Sequence, residues 1–587
     1  MSRTDITVEI CGMSGDGTIA AGGLLNDALA EAGFSILAFD SYPAEIRGFG
    51  RCITRSRITG TQPLALSDKT DVLISLDDKQ SISRIPILRE NGAVLFDNHP
   101  PAFLPEGESI AAHVGTEMQL FGVPFGDLAS GASGSLRGRN LAALGAFASL
   151  FGVQAESFHQ AIEKKFGPKG EAVLDANLKC FDAGFEYGLK DLDDGSDGLP
   201  KLERQAEGSE ASLLSGNVAI ARAALDAGIS LYFGYPITPA TPIMEYLAKE
   251  LPKTGGKVVQ MEDEISSIGA VLGSFYAGKR AMTATSGPGL ALMTELITHG
   301  VMAEIPAVIL DAQRGGPATG LPTKTEQSDL HAAVYGGPGD SPRIVLAPSN
   351  VLECYQFTLK SFQLAEKYQI PVILLTSFYL DNRVETLRLP SRTETDTGDW
   401  NVYPDDDSKG NYRRFEITES GISPRALPGS EGFIFTTTGL EHSERGIPEY
   451  GGDNHMRMSE KRHRKIASAL PDLPPPREFL KNEKPDLGVI SWGPTFGTAL
   501  EAVEKAQEEG LSVAALKITS LFPYHAEAIG QFMQRCGDIL IPELNFQGQL
   551  ANLIGHLHRK EVIRLNQVTG SPMEVGTIFD KIRSIVD

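Results

Sequence analysis

Ile6-Thr7-Val8-Glu9-Ile10 runs straight into Gly12-Met13-Ser14-Gly15-Asp16-Gly17. The first five residues alternate in a β-branched, period-two pattern, which predicts a strand. The glycine-rich hexapeptide predicts a tight turn, and the apolar periodicity beyond it predicts a helix to about Ala32. A second strand is predicted from Ser35 to Phe39, ending at Asp40, with further buried strands at Val72–Leu76 and Ala93–Phe96. Strands alternating with helices imply a parallel sheet, so the fold class expected is α/β with several doubly wound domains.

A chain of 587 residues exceeds what one ordinary core serves. The expected division is an α/β domain at 1–188, a linker at 189–211, a second α/β domain at 212–385, an irregular connection at 386–480 and a last α/β domain at 481–587. The linker is read from its Asp, Gly, Glu and Ser content. In the connection, weak periodicity surrounds a charged cluster from Met456 to Lys465.

The formal net charge is −22. Non-specific nucleic-acid binding needs a cationic face that displaces counterions, and this balance argues against it. No apolar run reaches spanning length and the first residues lack a signal-peptide core, so no membrane association and a cytoplasmic location are expected. Cys11, Cys52, Cys180, Cys354 and Cys536 are far apart with no C-x-x-C pair. Buried thiols are expected rather than a cysteine-ligated zinc or iron–sulfur site.

The second domain has four strand ends of unusual content. Tyr235-Pro236-Ile237-Thr238-Pro239 follows the strand at Ser230–Phe233, and its two prolines fix the backbone that carries the Thr238 hydroxyl. Gln260-Met261-Glu262-Asp263-Glu264 follows the next strand, where three acids could also be ordinary helix N-terminal charges. Thr285-Ser286-Gly287-Pro288-Gly289 offers a glycine-lined wall for a flat ligand. Gln313-Arg314 opens a glycine-rich loop that carries Thr319, Thr323 and Lys324, a composition suited to a carboxylate pocket. Four consecutive loops of this kind are expected to meet at one sheet edge.

The Gly12–Gly17 loop is G-x-x-G-x-G, suited to an anion at a helix N-terminus or to closing a βα turn. Asp40 keeps a ribose-binding reading open. Arg47 and Arg51, flanking Gly48 and Gly50, suit carboxylate or phosphate recognition, or are solvated surface arginines.

Taken in order, Tyr235–Pro239, Gln260–Glu264, Thr285–Gly289 and Gln313–Thr323 resemble the α subunit of 2-oxoacid:ferredoxin oxidoreductases. The N-terminal segment, with its glycine loop and the Ser41–Gly48 stretch, resembles that family's γ domain, here fused ahead of α. The last domain looks like a transketolase C-terminal-type domain. The resemblance implies CoA-dependent oxidative decarboxylation of a 2-oxoacid with thiamine diphosphate, whose pyrimidine half lies against this chain. It also implies a β subunit that carries Mg2+ and a [4Fe–4S] cluster, ferredoxin as electron acceptor, and an (αβ)2 heterotetramer.

Carried over by resemblance, Glu264 faces N1′ of the aminopyrimidine, with Ile237, Ser286, Gly287 and Pro288 around the ring. Thr238 and Arg314 contact substrate, Arg314 through its C1 carboxylate, and Thr319, Thr323 and Lys324 line the same pocket. Gly12, Ser14, Gly15, Gly17 and Arg47 resemble a region facing coenzyme A, although Asp16 stands where the family's loop is more often neutral. The Gly320–Leu330 segment and the γ–α fusion favour 2-oxoglutarate over pyruvate, with Lys324 or His331, or the β subunit, as the cation for a distal carboxylate. Two rival readings are a nicotinamide-dependent dehydrogenase built on the glycine loop and Asp40, and a non-catalytic assembly subunit.

Overall fold

The computed structural model describes residues 5–42, 50–99, 109–192, 199–202, 212–390 and 398–586. The chain divides into two compact units, one of residues 1–214 with 383–389 and one of 215–382 with 390–587. Among the described residues, no helix is long and apolar enough to cross a membrane.

The first unit is built on β1 (Asp5–Met13), β2 (Ser35–Ser41), β3 (Arg51–Thr59), β4 (Thr70–Ser75), β5 (Leu88–Asp97), β6 (Gln119–Val123) and β7 (Ser212–Ser215). With β14 (Val384–Leu387), they form a sheet in the order β6-β5-β4-β1-β3-β2-β14-β7. β4 is parallel to β1 and β5, and β6 is parallel to β5. The all-parallel expectation is corrected at β3, which lies between β1 and β2 and runs antiparallel to both. Three arginines hide β3 in the sequence by giving it the look of a surface segment. Across the ladder Arg55 stands opposite Glu9, and Glu9 is fully buried and bound by Arg84 at 2.5 Å. Arg57 pairs with Asp5 at 2.7 Å. Cross-strand opposite charges let a cationic strand sit inside a sheet.

The second unit holds β8 (Leu231–Gly234), β9 (Lys257–Gln260), β10 (Ala281–Thr285), β11 (Ala307–Gln313), β12 (Ile344–Leu346) and β13 (Pro371–Ser377). They form a sheet in the order β18-β12-β13-β11-β10-β8-β9, where β18 is Ser520–Phe522. From β12 to β9 all neighbours are parallel. β18 comes from the last stretch of chain and adds antiparallel to the β12 edge, so this stretch shares a sheet with the second domain. A further sheet, β15-β17-β16-β19-β20, is formed by Arg477–Phe479, Val513–Ile518, Leu487–Trp492, Asp538–Glu543 and Ile563–Asn566.

The stretch expected to be irregular, 386–480, departs from that reading at Arg477–Phe479, the edge strand of the last sheet, and in two further places. Val384–Leu387 joins the first unit's sheet, antiparallel to β2. Gly452–Ala469 is a helix whose charged residues are buried: Lys461 and Lys465 both bind the buried Glu304 carboxylate, Lys465 at 2.6 Å. Helical periodicity is hidden there because the core-facing stripe of Met458, Ile466 and Ala469 is interrupted by the buried Asn454, Lys461, Arg462 and Lys465. The five cysteines are all buried, and burial pushes the Cys11 thiol up to about 11 and that of Cys536 to about 12.

Candidate active site

The four specialised loops follow β8, β9, β10 and β11, which are immediate neighbours in the order β11-β10-β8-β9. Parallel strands end on one side of a sheet, so all four loops emerge together. The β8 loop is braced from several sides. Met261 N donates to Gly234 O at 2.9 Å, Thr241 N to Ile237 O at 3.0 Å, and Asn217 Nδ2 to Pro239 O at 3.2 Å. Thr238 is exposed, and Ile237 is half-buried.

The three acids after β9 have three different fates. Glu262 is exposed. Asp263 caps the helix Glu264–Tyr276, accepting from Ser266 N at 2.7 Å, which holds its carboxyl below the usual range. Glu264 opens that helix and is only 6% exposed, yet its carboxylate has no hydrogen bond among the described residues. A buried carboxyl without a partner is costly, so a site that retains one is built for something it binds.

The β10 loop forms the wall against that carboxyl. A Cβ placed on Gly289 would overlap Thr285 Oγ1 and come within 2.6 Å of Glu264 Oε1. A Cβ on Gly287 would meet Asp329 Oδ2 at 2.8 Å. Ser286 is buried and its Oγ is enclosed without a partner, while Gly287 and Pro288 are half-buried.

Arg314, 7% exposed, begins the fourth loop. Its Nη1 donates to Thr238 O at 2.7 Å, while Nε is enclosed and unpartnered. Burial lowers the proton affinity of the guanidinium, and the charges of Asp329, Asp311 and Glu264 oppose that shift. Thr238, Glu264, Arg314 and the Ser286–Gly289 wall are thereby assembled. Thr319 is exposed near the tip of a loop closed by the Gly315–Leu321 bridge. Thr323 Oγ1 is enclosed without a partner. The stem of Lys324 lies against Gly570, and its ammonium has no hydrogen bond or ion pair among the described residues. His331 is engaged instead with Gln549, its Nε2 lying 3.1 Å from the main-chain O.

Sequence reasoning passed over Asn217, Asp311, Gln327 and Asp329. Gln327 ties the loop to the last stretch of chain: its Nε2 donates to Trp492 O at 3.0 Å, and its N donates to Leu544 O at 2.7 Å. The available signal was a polar run, Thr323 to Asp329, with no apolar periodicity.

In the first unit, Gly15 and Gly17 take φ of +108° and +78°, backbone that favours glycine. Asp16 turns inward: it accepts from Met13 N at 2.8 Å and pairs with Arg139 at 2.8 Å, so its charge is matched. Gly12 lies within β1, and Ser14 N donates to Gly50 O at 2.9 Å. Arg51 bonds Ser83, and Arg47 lies outside the described residues. Asp40 accepts from Thr54 Oγ1 at 2.7 Å, and burial pushes it up to about 6.

Three family profiles match the chain: pyruvate ferredoxin/flavodoxin oxidoreductase over residues 7–187, the thiamine diphosphate-binding domain of pyruvate flavodoxin/ferredoxin oxidoreductase over 222–461, and pyruvate:ferredoxin oxidoreductase core domain II over 486–578. The chain is 37% identical to 2-oxoglutarate synthase subunit KorA of Methanothermobacter thermautotrophicus, across 58% of this chain and 89% of that one. It is 31% identical to 2-oxoglutarate oxidoreductase subunit KorA of Mycobacterium tuberculosis, across 96% and 89%. The chain belongs to the 2-oxoacid:ferredoxin oxidoreductases, as an α-type subunit. A solved member of this oxidoreductase family, the 2-oxoglutarate:ferredoxin oxidoreductase of Magnetococcus marinus with 2-oxoglutarate, coenzyme A and succinyl-CoA bound, superposes with a TM-score of 0.93 at 35% identity, covering 99% of this chain and 100% of that one. The family's thiamine diphosphate-binding profile covers all four specialised loops.

Proposed function

We propose that this chain is the α-type subunit of a 2-oxoglutarate:ferredoxin oxidoreductase. The reaction converts 2-oxoglutarate and coenzyme A into succinyl-CoA and CO2, with two electrons passing to ferredoxin, and it is reversible. The observation that carries this reading is the buried Glu264 side chain against the Gly289 wall, on the loop after β9, with the buried Arg314 on the loop after β11 of the same sheet.

These residues fit the aminopyrimidine of thiamine diphosphate. Gly287 and Gly289 let the backbone close on Asp329 and Glu264, Ser286 Oγ is an unspent hydrogen-bonding group, and the Glu264 carboxyl has no hydrogen bond among the described residues. Thiamine diphosphate, when bound, supplies the electron sink for decarboxylation. Glu264 would hold a proton at N1′, and Ile237, Ser286, Gly287 and Pro288 would line the site of the ring. Arg314 binds the C1 carboxylate with a fork of donors that its bond to Thr238 O aims. Thr238 contacts the substrate from the loop after β8, Thr319 and Thr323 line the same pocket from the loop after β11, and the unpaired Lys324 ammonium is the candidate for the distal carboxylate.

The remaining parts fall to partners. A β subunit holds the diphosphate through Mg2+ and carries the [4Fe–4S] cluster, in an (αβ)2 assembly in the cytoplasm. Coenzyme A approaches Gly12, Ser14, Gly15 and Gly17; Arg47, outside the described residues, belongs to the same proposal by resemblance, and the Asp16 charge that would oppose a phosphate is matched by Arg139. Relatives named for 2-oxoglutarate favour that substrate over pyruvate.

Co-purification with the β partner, followed by a 2-oxoacid panel with coenzyme A and ferredoxin, tests this. Ferredoxin reduction fastest with 2-oxoglutarate is expected. Preference for pyruvate would change the substrate, and reduction of NAD in place of ferredoxin would sink the assignment.

A further inference from the structure

The loop after β11 carries both cations that the proposed reaction assigns to substrate carboxylates, and the two are supported from different parts of the second unit. Arg314 is aimed by its bond to Thr238 O on the loop after β8. Lys324 lies on the return arm. Gly315 N donates to Lys324 O at 3.0 Å, which keeps the Lys324 main chain beside Arg314. The course of its side chain is set from outside the loop. The stem runs along Gly570, where an added Cβ would come within 2.9 Å of Lys324 Cβ, and Thr325 N donates to Gly570 O at 3.3 Å.

Farther along the arm, Gln327 is fully buried and fastens it to the last stretch of chain. Its Nε2 donates to Trp492 O at 3.0 Å, and its Oε1 accepts from Thr495 Oγ1 at 2.6 Å and from Leu544 N at 3.2 Å. Its main-chain N donates to Leu544 O at 2.7 Å, and its O accepts from Asn545 Nδ2 at 3.0 Å. Those partners are themselves fixed. Asn545 Oδ1 accepts from Gly548 N at 2.7 Å, and the buried Glu543 carboxylate accepts from Leu550 N at 2.7 Å and Ala551 N at 3.1 Å. A buried polar network whose members are paired is rigid and specifies one arrangement.

We infer that Gln327 is a positioning residue that makes this loop a gauge of substrate length. By holding the return arm on the last stretch of chain, it fixes the reach of Lys324 from Arg314 and selects 2-oxoglutarate over the homologue one methylene longer. This role rests on Arg314 and Lys324 being the two carboxylate sites of the proposed function. A lysine stem is flexible, so by itself it would follow a distal carboxylate to different depths. Laid along Gly570, with Thr325 and Gln327 pinned beyond it, the ammonium meets that carboxylate at one separation. Misplacing a contact by about 1 Å can cost about 100-fold in rate.

The test uses the complete enzyme with its β partner and reads kcat/KM for 2-oxoglutarate, for 2-oxoadipate, which is one methylene longer, and for pyruvate. Gln327→Met keeps the length of the side chain and removes its amide. The preference for 2-oxoglutarate over 2-oxoadipate should fall by about tenfold. kcat/KM for pyruvate and KM for coenzyme A should hardly change. Thr495→Val removes one bond to Gln327 and should shift the preference the same way by about threefold. Thr495→Ser, which retains the hydroxyl, should keep the wild-type ratio. This pair reads the inference even where Gln327→Met does not assemble. In a Lys324→Met background, Gln327→Met should add nothing to the ratio, because its effect runs through that ammonium.

An unchanged ratio in Gln327→Met or in Thr495→Val, equal losses with all three substrates, or a full further effect in the Lys324→Met background would each overturn the inference. Wild-type turnover of 2-oxoglutarate beside any of these results leaves the proposed function standing. A wild-type complex that reduces ferredoxin with pyruvate but with neither dicarboxylate would remove the proposed substrate, and the gauge with it.

Discussion

The Arg314 guanidinium donates through Nη1 to the main-chain carbonyl of Thr238 at 2.7 Å, across 76 residues of sequence. The bond joins the first and last of the four loops and uses one donor on a neutral oxygen. The remaining donors stay available for a ligand, while prolines on both sides of Ile237–Thr238 keep the accepting carbonyl in place.

Glu264→Gln keeps the shape of the side chain and removes its ability to exchange a proton. Turnover with 2-oxoglutarate should fall by about 100- to 10,000-fold, the range of general acid–base catalysis. The melting temperature and assembly with the β partner should hardly change. Retained ferredoxin reduction in steady-state assays would remove the role assigned to this carboxyl.

Arg314→Lys keeps the charge but loses the planar fork and the bond to Thr238 O. Loss of a bidentate, charge-assisted contact is worth about 1.5–3 kcal/mol. KM for the 2-oxoacid should therefore rise by roughly 10- to 100-fold, with the KM for coenzyme A nearly constant; equal rises in both would speak against a carboxylate site.

Gly289→Ala places a methyl group into Thr285 Oγ1 and against Glu264 Oε1. Overpacking of this kind costs about 1–3 kcal/mol. Activity should fall more than stability, because the displaced group is the carboxyl of Glu264. Chemical denaturation and initial-rate measurements on one preparation separate the two effects.

Lys324→Met retains the stem that lies against Gly570 and removes the ammonium. KM for 2-oxoglutarate should rise by about tenfold or more, whereas pyruvate, which has no distal carboxylate, should be nearly unaffected. A competition assay with the two substrates reads the ratio directly.

Glu304→Gln leaves Lys461 and Lys465 buried without their anion, and breaking such a group costs about 3–5 kcal/mol. Burial opposes ionisation of Glu304, but the surrounding Lys461, Lys465 and Arg414 outweigh it and hold the carboxyl far below its ordinary range. Its folded-state proton affinity is thus lower than in the unfolded chain. The stabilisation is fully present above the ordinary glutamate range and is lost as pH falls below it. Thermal melts of the wild type should show that acid-side loss, and Glu304→Gln should lack this contribution at every pH.

Much of the second unit was legible because its strands are short, apolar and followed by glycine or proline. β11 and β13 are wholly buried, and the helix after β9 starts at the acids that announce it. β3 was not legible, since Arg55 and Arg57 are paired with Glu9 and Asp5 of β1, far away in sequence. The helix Gly452–Ala469 was hidden for the same reason: its inward lysines make sense only beside Glu304. Of three adjacent acids, nothing local distinguished the exposed Glu262, the capping Asp263 and the enclosed Glu264.

By itself the sequence determined the α/β class, the four loops of specialised content and the family they resemble, because these depend on periodicity and on residues close together in the chain. Only the tertiary structure decided which of the three acids is buried, which donors of Arg314 are free, and that Asp311 is buried with neither oxygen partnered. Those properties follow from burial and from the distance between charges far apart in sequence, and both are set by how the sheet brings neighbouring strand ends together.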